Sequence, residues 1–301
     1  MGAAENFQLN AADQNEIVFA VKNIFIMDYV LITGAFGGMG RAAVDGLLKE
    51  GYGVIALDKT VGEKKENLYP IAADVTSAAS LLRALETVKQ ITGSLRAIVH
   101  FAGIYRLDSL VEISEERFRQ IFDINVFGVY LVNRIFFPLL TAGSRIVITT
   151  SELAPLDPLP FTGIYAITKT TLDRYAYSLR MELQLLGIYV SVVMPGAVKT
   201  SLLNDSAREL DAFCSKTVLY DCNAEKFRRI VNGVEAKSVP PEKVAKKAIK
   251  AVKAKKPKYV YKINRNPLLL LLNALPKRLQ NAIIAWILKP KKTEKQQKSD
   301  L

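Results

Sequence analysis

The chain alternates short, mainly apolar runs with longer stretches whose apolar residues recur every three or four positions. The short runs cover residues 29–33, 53–57, 68–72, 95–101, 145–150 and 189–194. Apolar runs of this length, without polar alternation, read as strands buried on both faces. Between them, 38–50, 78–90, 114–140 and 165–186 carry helical periodicity; in the first, Ala42, Ala43, Leu47 and Leu48 share one side. Strands separated by helices need crossover connections, which are right-handed and give a parallel sheet. The pattern therefore predicts an α/β fold, a doubly wound parallel sheet between two helical layers. Beyond Pro195 the regularity weakens. Residues 200–238 hold polar clusters. A helix is predicted over 240–256, with Val244, Ala248, Ile249 and Val252 facing inward. A last strand follows at 258–261, then an apolar helical stretch over 267–288, broken at Pro276.

With 301 residues, half of them hydrophobic, the chain suits one substantial domain. We place that domain at 28–262, after an N-terminal extension (1–27) and before an apolar and basic C-terminal extension (263–301). The net charge of +12 is uneven: from Lys243 onward there are 17 Lys/Arg and 2 Asp/Glu, and the preceding residues are slightly acidic. A nucleic-acid-binding body would carry its positive charge on the folded domain, so no nucleic-acid partner is expected. A basic end suits an anionic surface such as a membrane, or stands solvated. Over 275–289, Leu279, Ile283, Trp286 and Ile287 fall on one helical face, with Lys277, Arg278 and Gln280 elsewhere and Lys289, Lys291 and Lys292 following. Such a helix lies at a membrane interface or docks on its own domain or at a subunit contact; both readings stay open. No apolar run reaches 18 residues, so no spanning helix is expected, and 17–27 lacks the features of a secretory signal. Cys214 and Cys222 match neither a disulfide framework nor a metal spacing. With a single histidine, His100, no metal site is expected. An intracellular, cytoplasmic protein with peripheral membrane contact fits these features.

The candidate chemistry begins between the first strand and first helix, at Thr33-Gly34-Ala35-Phe36-Gly37-Gly38-Met39-Gly40. Glycines there let the backbone turn sharply and approach a pyrophosphate, while the helix N-terminus offers free N–H groups. Asp58 ends the second strand, placed to accept hydrogen bonds from an adenosine ribose and to repel a 2′-phosphate. NAD(H) is the expected cofactor; Lys59, which follows, keeps NADP(H) open as the alternative. Asp74, followed by Val75, is placed to reach an adenine amino group or to cap the helix at Ala78. Tyr165 and Lys169 stand four residues apart, on one helical face. The ammonium should lower the phenol's pKa from about 10, letting it exchange a proton with a substrate oxygen. Ser151 closes the fifth strand, where its hydroxyl could bind the same oxygen. Asn125 is a poor helix former in mid-helix, which suggests that it holds a water relaying protons toward Lys169.

Taken together, Thr33-Gly34-x-x-x-Gly38-x-Gly40, Asp74-Val75, Ala102-Gly103, Asn125-Val126-x-Gly128, Ser151, Tyr165-x-x-x-Lys169 and Pro195-Gly196-x-x-x-Thr200 resemble the short-chain dehydrogenase/reductase family, over about residues 29–261. The resemblance implies a Rossmann fold and an oxidoreductase acting on CH–OH groups. It implies a tetrad of Asn125, Ser151, Tyr165 and Lys169, with Tyr165 as general acid/base, Ser151 positioning substrate and Lys169 also binding the nicotinamide ribose. Ala102 and Gly103 would line the cofactor, and Pro195, Gly196, Val198 and Thr200 its nicotinamide end. One departure is His100-Phe101 where the family usually has two asparagines; a buried, neutral, hydrogen-bonding role is expected for His100. The family places a variable lid at 200–238. Here it carries Leu202, Leu203, Leu210, Phe213, Val218 and Leu219, beside Leu153, Leu156, Leu159 and Phe161 of the loop before Tyr165. Apolar walls suit a lipophilic alcohol or ketone. The C-terminal extension is similar to that of the hydroxysteroid and retinol dehydrogenase branch, implying a steroid-, retinoid- or lipid-like substrate. The family also implies a homo-oligomer. The competing readings are an NADP(H)-dependent carbonyl or 3-ketoacyl reductase and a nucleotide-binding scaffold without turnover.

Overall fold

Seven strands form one parallel sheet: β1 (Tyr29–Thr33), β2 (Gly53–Asp58), β3 (Leu68–Ala72), β4 (Leu95–His100), β5 (Leu140–Thr149), β6 (Tyr189–Pro195) and β7 (Val260–Ile263). They pair in the order β3-β2-β1-β4-β5-β6-β7. The structure is a computed structural model and describes residues 27–235 and 237–289. The expected N-terminal extension, apart from Met27, lies outside the described residues, as do Lys291 and Lys292. The chain winds from β1 out to β3, then returns to place β4 on the other side of β1. The doubly wound prediction therefore holds, with the direction of winding reversing between β1 and β4.

Because successive strand residues point to opposite faces, the apolar runs feed two cores. On one face Leu31, Ile55, Leu57, Ile98, Ile146 and Ile148 pack against α2 (Ala78–Ile91), α4 (Gly128–Phe136) and α5 (Gly163–Leu183). On the other, Val30, Ile32, Val54, Ala56, Ala97 and Val99 meet α1 (Gly38–Lys49) and α8 (Pro241–Lys253). The result is the three-layer α/β/α sandwich.

Three segments differ from the sequence pattern. β5 starts at Leu140 rather than 145, and its register to β4 shifts between Leu95 and Ala97. Thr141-Ala-Gly-Ser144 has no β-branched run to announce a strand, and Ser144 instead donates from its hydroxyl to Leu95 O at 2.8 Å. The helix predicted over 114–140 is interrupted. α3 (Glu115–Phe122) runs into a π-helical turn, Asp123–Phe127, before α4 continues and a 3₁₀ turn at Phe137–Leu139 closes the segment. By length and composition Glu115–Leu139 is apolar enough to cross a bilayer. Val129, Val132 and Phe136 are nonetheless buried against the sheet, which identifies it as a core helix.

The third difference is the lid, which is regular: α6 (Ser201–Lys216) and α7 (Asp221–Glu235). Leu210, Phe213 and Phe227 join Leu107 and Phe161 in a separate apolar cluster. The side chains of Leu202, Leu203 and Cys222 lie outside the described residues. Polar bonds fasten the lid to the body. Glu209 of α6 accepts from Arg106 at 2.9 Å and from Arg117 at 2.5 Å. Glu112 accepts from the Thr217 hydroxyl at 2.7 Å and the Val218 N–H at 2.8 Å. After β7, α9 (Pro267–Ala274) and α10 (Lys277–Leu288) form a hairpin, broken where Pro276 was expected to break it.

His100 ends β4, 2% exposed, with its Nε2 2.8 Å from Asn133 Oδ1. Since that amide oxygen only accepts, Nε2 carries the proton. Burial pushes the ring down from 6.5 to about 4, against the opposing pull of the Asn133 bond. Folding therefore excludes a proton that the unfolded chain takes up below pH 6.5. The contribution is present above 6.5 and is lost as pH falls toward 4, to a total on the order of 3 kcal/mol. Urea unfolding at pH 7 and pH 4.5 should show this loss, and His100→Asn should flatten it. An unchanged pH slope in His100→Asn would assign the acid sensitivity to other groups.

Candidate active site

β1 ends at Thr33, and the chain turns at once through Gly34, whose φ is +65°. A side chain there would meet the Ala102 backbone, with a Cβ only 2.5 Å from Ala102 N. At Gly40 a Cβ would lie 2.0 Å from Gly34 O. The turn is thus folded tightly onto itself and onto the end of β4, and only glycine fits at either position. α1 starts immediately after Gly37, with no side-chain cap and no acidic residue in its first turn. Its leading N–H groups and positive dipole end are left for an anionic ligand. Gly38 packs beneath Thr200, whose Cγ2 lies 2.7 Å from where a Cβ would be. This brings the segment after β6 against the glycine turn, as the motifs implied.

The Asp58 carboxylate is fixed by two backbone donors, Phe36 N at 2.9 Å and Lys59 N at 2.7 Å. Lys59 turns away and pairs with Asp74 Oδ2 at 3.0 Å. Asp74 Oδ1 accepts from the Thr76 N–H at 2.9 Å and the Thr76 hydroxyl at 2.7 Å. Burial raises the Asp74 carboxyl, but these donors and Lys59 outweigh it and hold it below the usual range. The capping alternative for Asp74 is corrected: Ser77 caps α2, accepting from Ser80 N at 3.2 Å. Gly34, Phe36, Gly37, Asp58, Lys59, Val75, Ala102 and Gly103 line one cavity. Arg41 lines it as well. The sequence reading passed over this residue, although a cation directly after Gly40 was a visible signal.

A second cavity adjoins the first through Phe101, Gly103 and Ile104. Met39, Ser151, Tyr165, Lys169, Pro195, Gly196, Val198 and Thr200 line it. The two form one groove across the carboxyl ends of the strands, at the point where the winding reverses. This is where open α/β sheets bind ligands. An extended dinucleotide fits this groove. The uncapped helix start meets its phosphates in the middle, Asp58 lies at one end, and at the other stands a buried Thr149 hydroxyl oxygen that has no hydrogen-bond partner.

Tyr165 and Lys169 rise from the first turns of α5. Lys169 is 5% exposed, donates to Thr149 O at 3.1 Å, and lies 5.6 Å from the Tyr165 ring centre. Tyr165 is partly open to the cavity and packs its ring 4.8 Å from that of Tyr105. The expected fall in the phenol pKa is corrected. Burial pushes Tyr165 up to about 12, with the Ser151 hydroxyl beside it opposing. Burial also pushes Lys169 down to about 8, so both groups are displaced toward their neutral forms.

Asn125 sits in the π-helical turn with no solvent exposure. It accepts from Ile104 N at 2.8 Å, donates to Ile104 O at 2.9 Å, and donates to the Thr168 hydroxyl at 3.2 Å. It therefore stands behind the cavity and clamps the loop after β4 to α5.

The structure adds Glu152, a buried carboxylate beside Ser151 on the cavity wall. It accepts from Asn266 N at 2.6 Å, joining the catalytic loop to the start of α9. Burial raises its carboxyl, against Asn266 and Arg265. Leu153 and Leu159 line the cavity as expected, with Phe227, Ile230, Val231 and Leu269 opposite. Leu156 lines a smaller space under the hairpin, and Leu210, Phe213 and Phe161 pack together away from the cavity. Val218 and Leu219, expected as lid walls, point to solvent at 83% and 64% exposure.

An NADPH-dependent 3-dehydrocapnine reductase from Ornithobacterium rhinotracheale is 28% identical over 250 residues, covering 78% of this chain and 87% of its own. A short-chain dehydrogenase from Burkholderia cenocepacia, solved with NADP, shares the fold at TM-score 0.67 and 19% identity, over 88% of this chain and 98% of its own. A 3-ketoacyl-(acyl-carrier-protein) reductase from Brucella melitensis, solved with NADH, does so at TM-score 0.64 and 22% identity, over 78% and 96%. At these identities the two structures speak for the fold alone. The short chain dehydrogenase family model matches residues 28–211, and with the glycine turn, groove and Ser-Tyr-Lys cluster found within or beside that span, the chain belongs to the short-chain dehydrogenase/reductase family of NAD(P)-binding oxidoreductases.

Proposed function

We propose that the protein reduces the carbonyl of a lipophilic ketone, with NAD(H) as its nucleotide. The observation that carries this reading is the placement of Ser151, Tyr165 and Lys169 in a cavity whose other walls are largely apolar. A bound nicotinamide supplies the hydride. The protein's own task is to hold the carbonyl and deliver a proton to its oxygen. Tyr165, held in its protonated form by burial and open to the cavity, is the group placed to give that proton. The Ser151 hydroxyl donates to the same oxygen and stabilises the negative charge that grows on it. Lys169, held by Thr149 O 5.6 Å from the phenol ring centre, places a positive charge near the phenol that favours release of its proton. The walls from Leu153, Leu159, Phe227, Ile230, Val231 and Leu269 exclude water and favour a steroid-, retinoid- or lipid-like substrate over a sugar or an amino acid.

The choice of NAD(H) rests on Asp58, whose fixed charge would repel a 2′-phosphate. NADP(H) is the second reading. Arg41 and Lys59 line the same cavity, and the O. rhinotracheale relative is NADPH-dependent.

Two experiments test the proposal. Tyr165→Phe should lower kcat for a lipophilic ketone on the order of 10²–10⁴-fold, with nucleotide affinity kept; turnover within a few-fold of the original would remove Tyr165 from the chemistry. Asp58→Asn should improve kcat/KM with NADPH relative to NADH by about tenfold, worth about 1.4 kcal/mol. A wild-type enzyme that already prefers NADPH would establish the second reading.

A further inference from the structure

The α9–α10 hairpin carries two apolar stripes, and the body uses only one of them. On the inner side, Leu269 and Leu272 meet Leu153, Leu156 and Leu159 of the catalytic loop. Ile284 and Leu288 line a groove with Pro158, Pro160 and Tyr220. Polar bonds fix this orientation. Gln280, 4% exposed, donates to Leu275 O at 2.8 Å, and Asn223 donates to Leu288 O at 2.6 Å. Asp157 accepts an ion pair from Lys277, and its N–H donates to Asn273 at 2.8 Å.

The other stripe is open. Trp286 is 77% exposed, Leu268 67%, Leu271 64%, Leu279 46% and Ile287 40%. Leu279, Trp286 and Ile287 belong to the face that the sequence left undecided between a membrane and the protein's own domain. The body takes the opposite side of α10, so docking on the protein's own domain does not explain this face. Large apolar side chains gathered at such exposure mark a contact surface.

The charge around the stripe identifies the contact. From Arg265 to Lys289 there are four basic residues and no acidic one, of which Lys277 is paired with Asp157; the chain beyond adds Lys291, Lys292, Lys295 and Lys298 against Glu294 and Asp300. A second copy docking through the same patch would set Arg265, Arg278 and Lys289 against their counterparts, with no acidic residue from Arg265 to Lys289 to pair with them. A bilayer with anionic lipid answers both features: its acyl region takes the leucines and tryptophan, and its headgroups take the lysines and arginines.

We propose that the outer face of the α9–α10 hairpin docks the protein on an anionic membrane surface. Leu268 faces outward while its neighbour Leu269 lines the catalytic cavity, so the docked hairpin sets the cavity one helix thickness from the lipid. A hydrophobic substrate then reaches the site without crossing water.

Trp286 is the only tryptophan, so its emission reports the contact directly. Full-length protein would be mixed with vesicles of phosphatidylcholine alone, or with about one third phosphatidylglycerol, at low and high salt. The expected result is a blue shift and co-sedimentation with the anionic vesicles. Both should weaken at high salt and with phosphatidylcholine alone. The Leu268→Glu/Leu271→Glu variant should lose at least about fivefold in vesicle-bound fraction while keeping its thermal unfolding temperature and its turnover of a water-soluble ketone. Binding unaffected by the double variant would overturn the proposal. So would a blue shift that needs no vesicles and follows a concentration-dependent dimer dissociated by the same substitutions. That result would place a second copy on this face.

Discussion

Everything functional in this protein is positioned by the pairing of β1 with β4. The two strands run side by side, yet the chain leaves one toward β2 and enters the other on its way to β5. The connections beyond their paired carboxyl ends therefore lead in opposite directions, and a groove opens between them. Gly34 and Ala102 close its floor, approaching so nearly that no side chain fits between them. From that floor the nucleotide half extends toward Asp58 and the reaction half toward Ser151 and Lys169. A substitution that pushed the two turns apart would misplace both halves together.

Burial, more than pairwise attraction, governs the ionisable groups near this groove. His100, Tyr165 and Lys169 are all displaced toward their neutral forms. The tyrosine–lysine pair lies close enough for attraction, but the lysine hydrogen-bonds a strand-end carbonyl rather than the phenol oxygen. A phenol that keeps its proton in the unliganded site is the consequence. Asp58 and Asp74, on the open side of the groove, are instead tied by backbone and side-chain donors. The site thus combines a dry end, where protons stay on phenol and imidazolium protons are refused, with a wetter end, where negative charge is held in place.

Most of the sheet was legible because doubly covered parallel strands must be apolar without alternation, and Val30–Ile32 or Ile146–Ile148 satisfy that with no competing reading. The catalytic cluster was legible through spacing: Tyr165 and Lys169 one helical turn apart, and Ser151 at a strand end. What escaped notice shares one property, dependence on distant partners. Among the described side chains the lid helices turn Leu210, Phe213 and Phe227 toward an aromatic cluster built around Phe161, while Ile230 and Val231 face the cavity, and apolar positions split between two targets leave a weak periodic trace. Glu152 reads as an ordinary loop acid until Asn266, 114 residues away, supplies its donor. Arg41 reads as a solvated helix residue until the folded groove makes it part of the cavity that Asp58 also lines. Asn125 was correctly singled out as unsuited to a regular helix, but its partners Ile104 and Thr168 could not be read from its own neighbourhood.

The π-helical turn at Asp123–Phe127 works as a phase shift. An α-helix advances each residue by about 100°, and the wider turn accommodates one residue more than the regular helix would. α3 can therefore bury Ile121 while α4, in the same continuous rod, aims Val129, Val132 and Phe136 at the sheet. Asn125 occupies the seam and faces α5. Removing a single residue here would restore an unbroken helix and rotate everything downstream by about 100°. The side chains that fill the core would then be traded for those now in solvent, such as Phe127 and Phe137. In this segment chain length is itself a constraint: substitutions change one contact at a time, whereas a one-residue deletion would change the facing of the whole of α4.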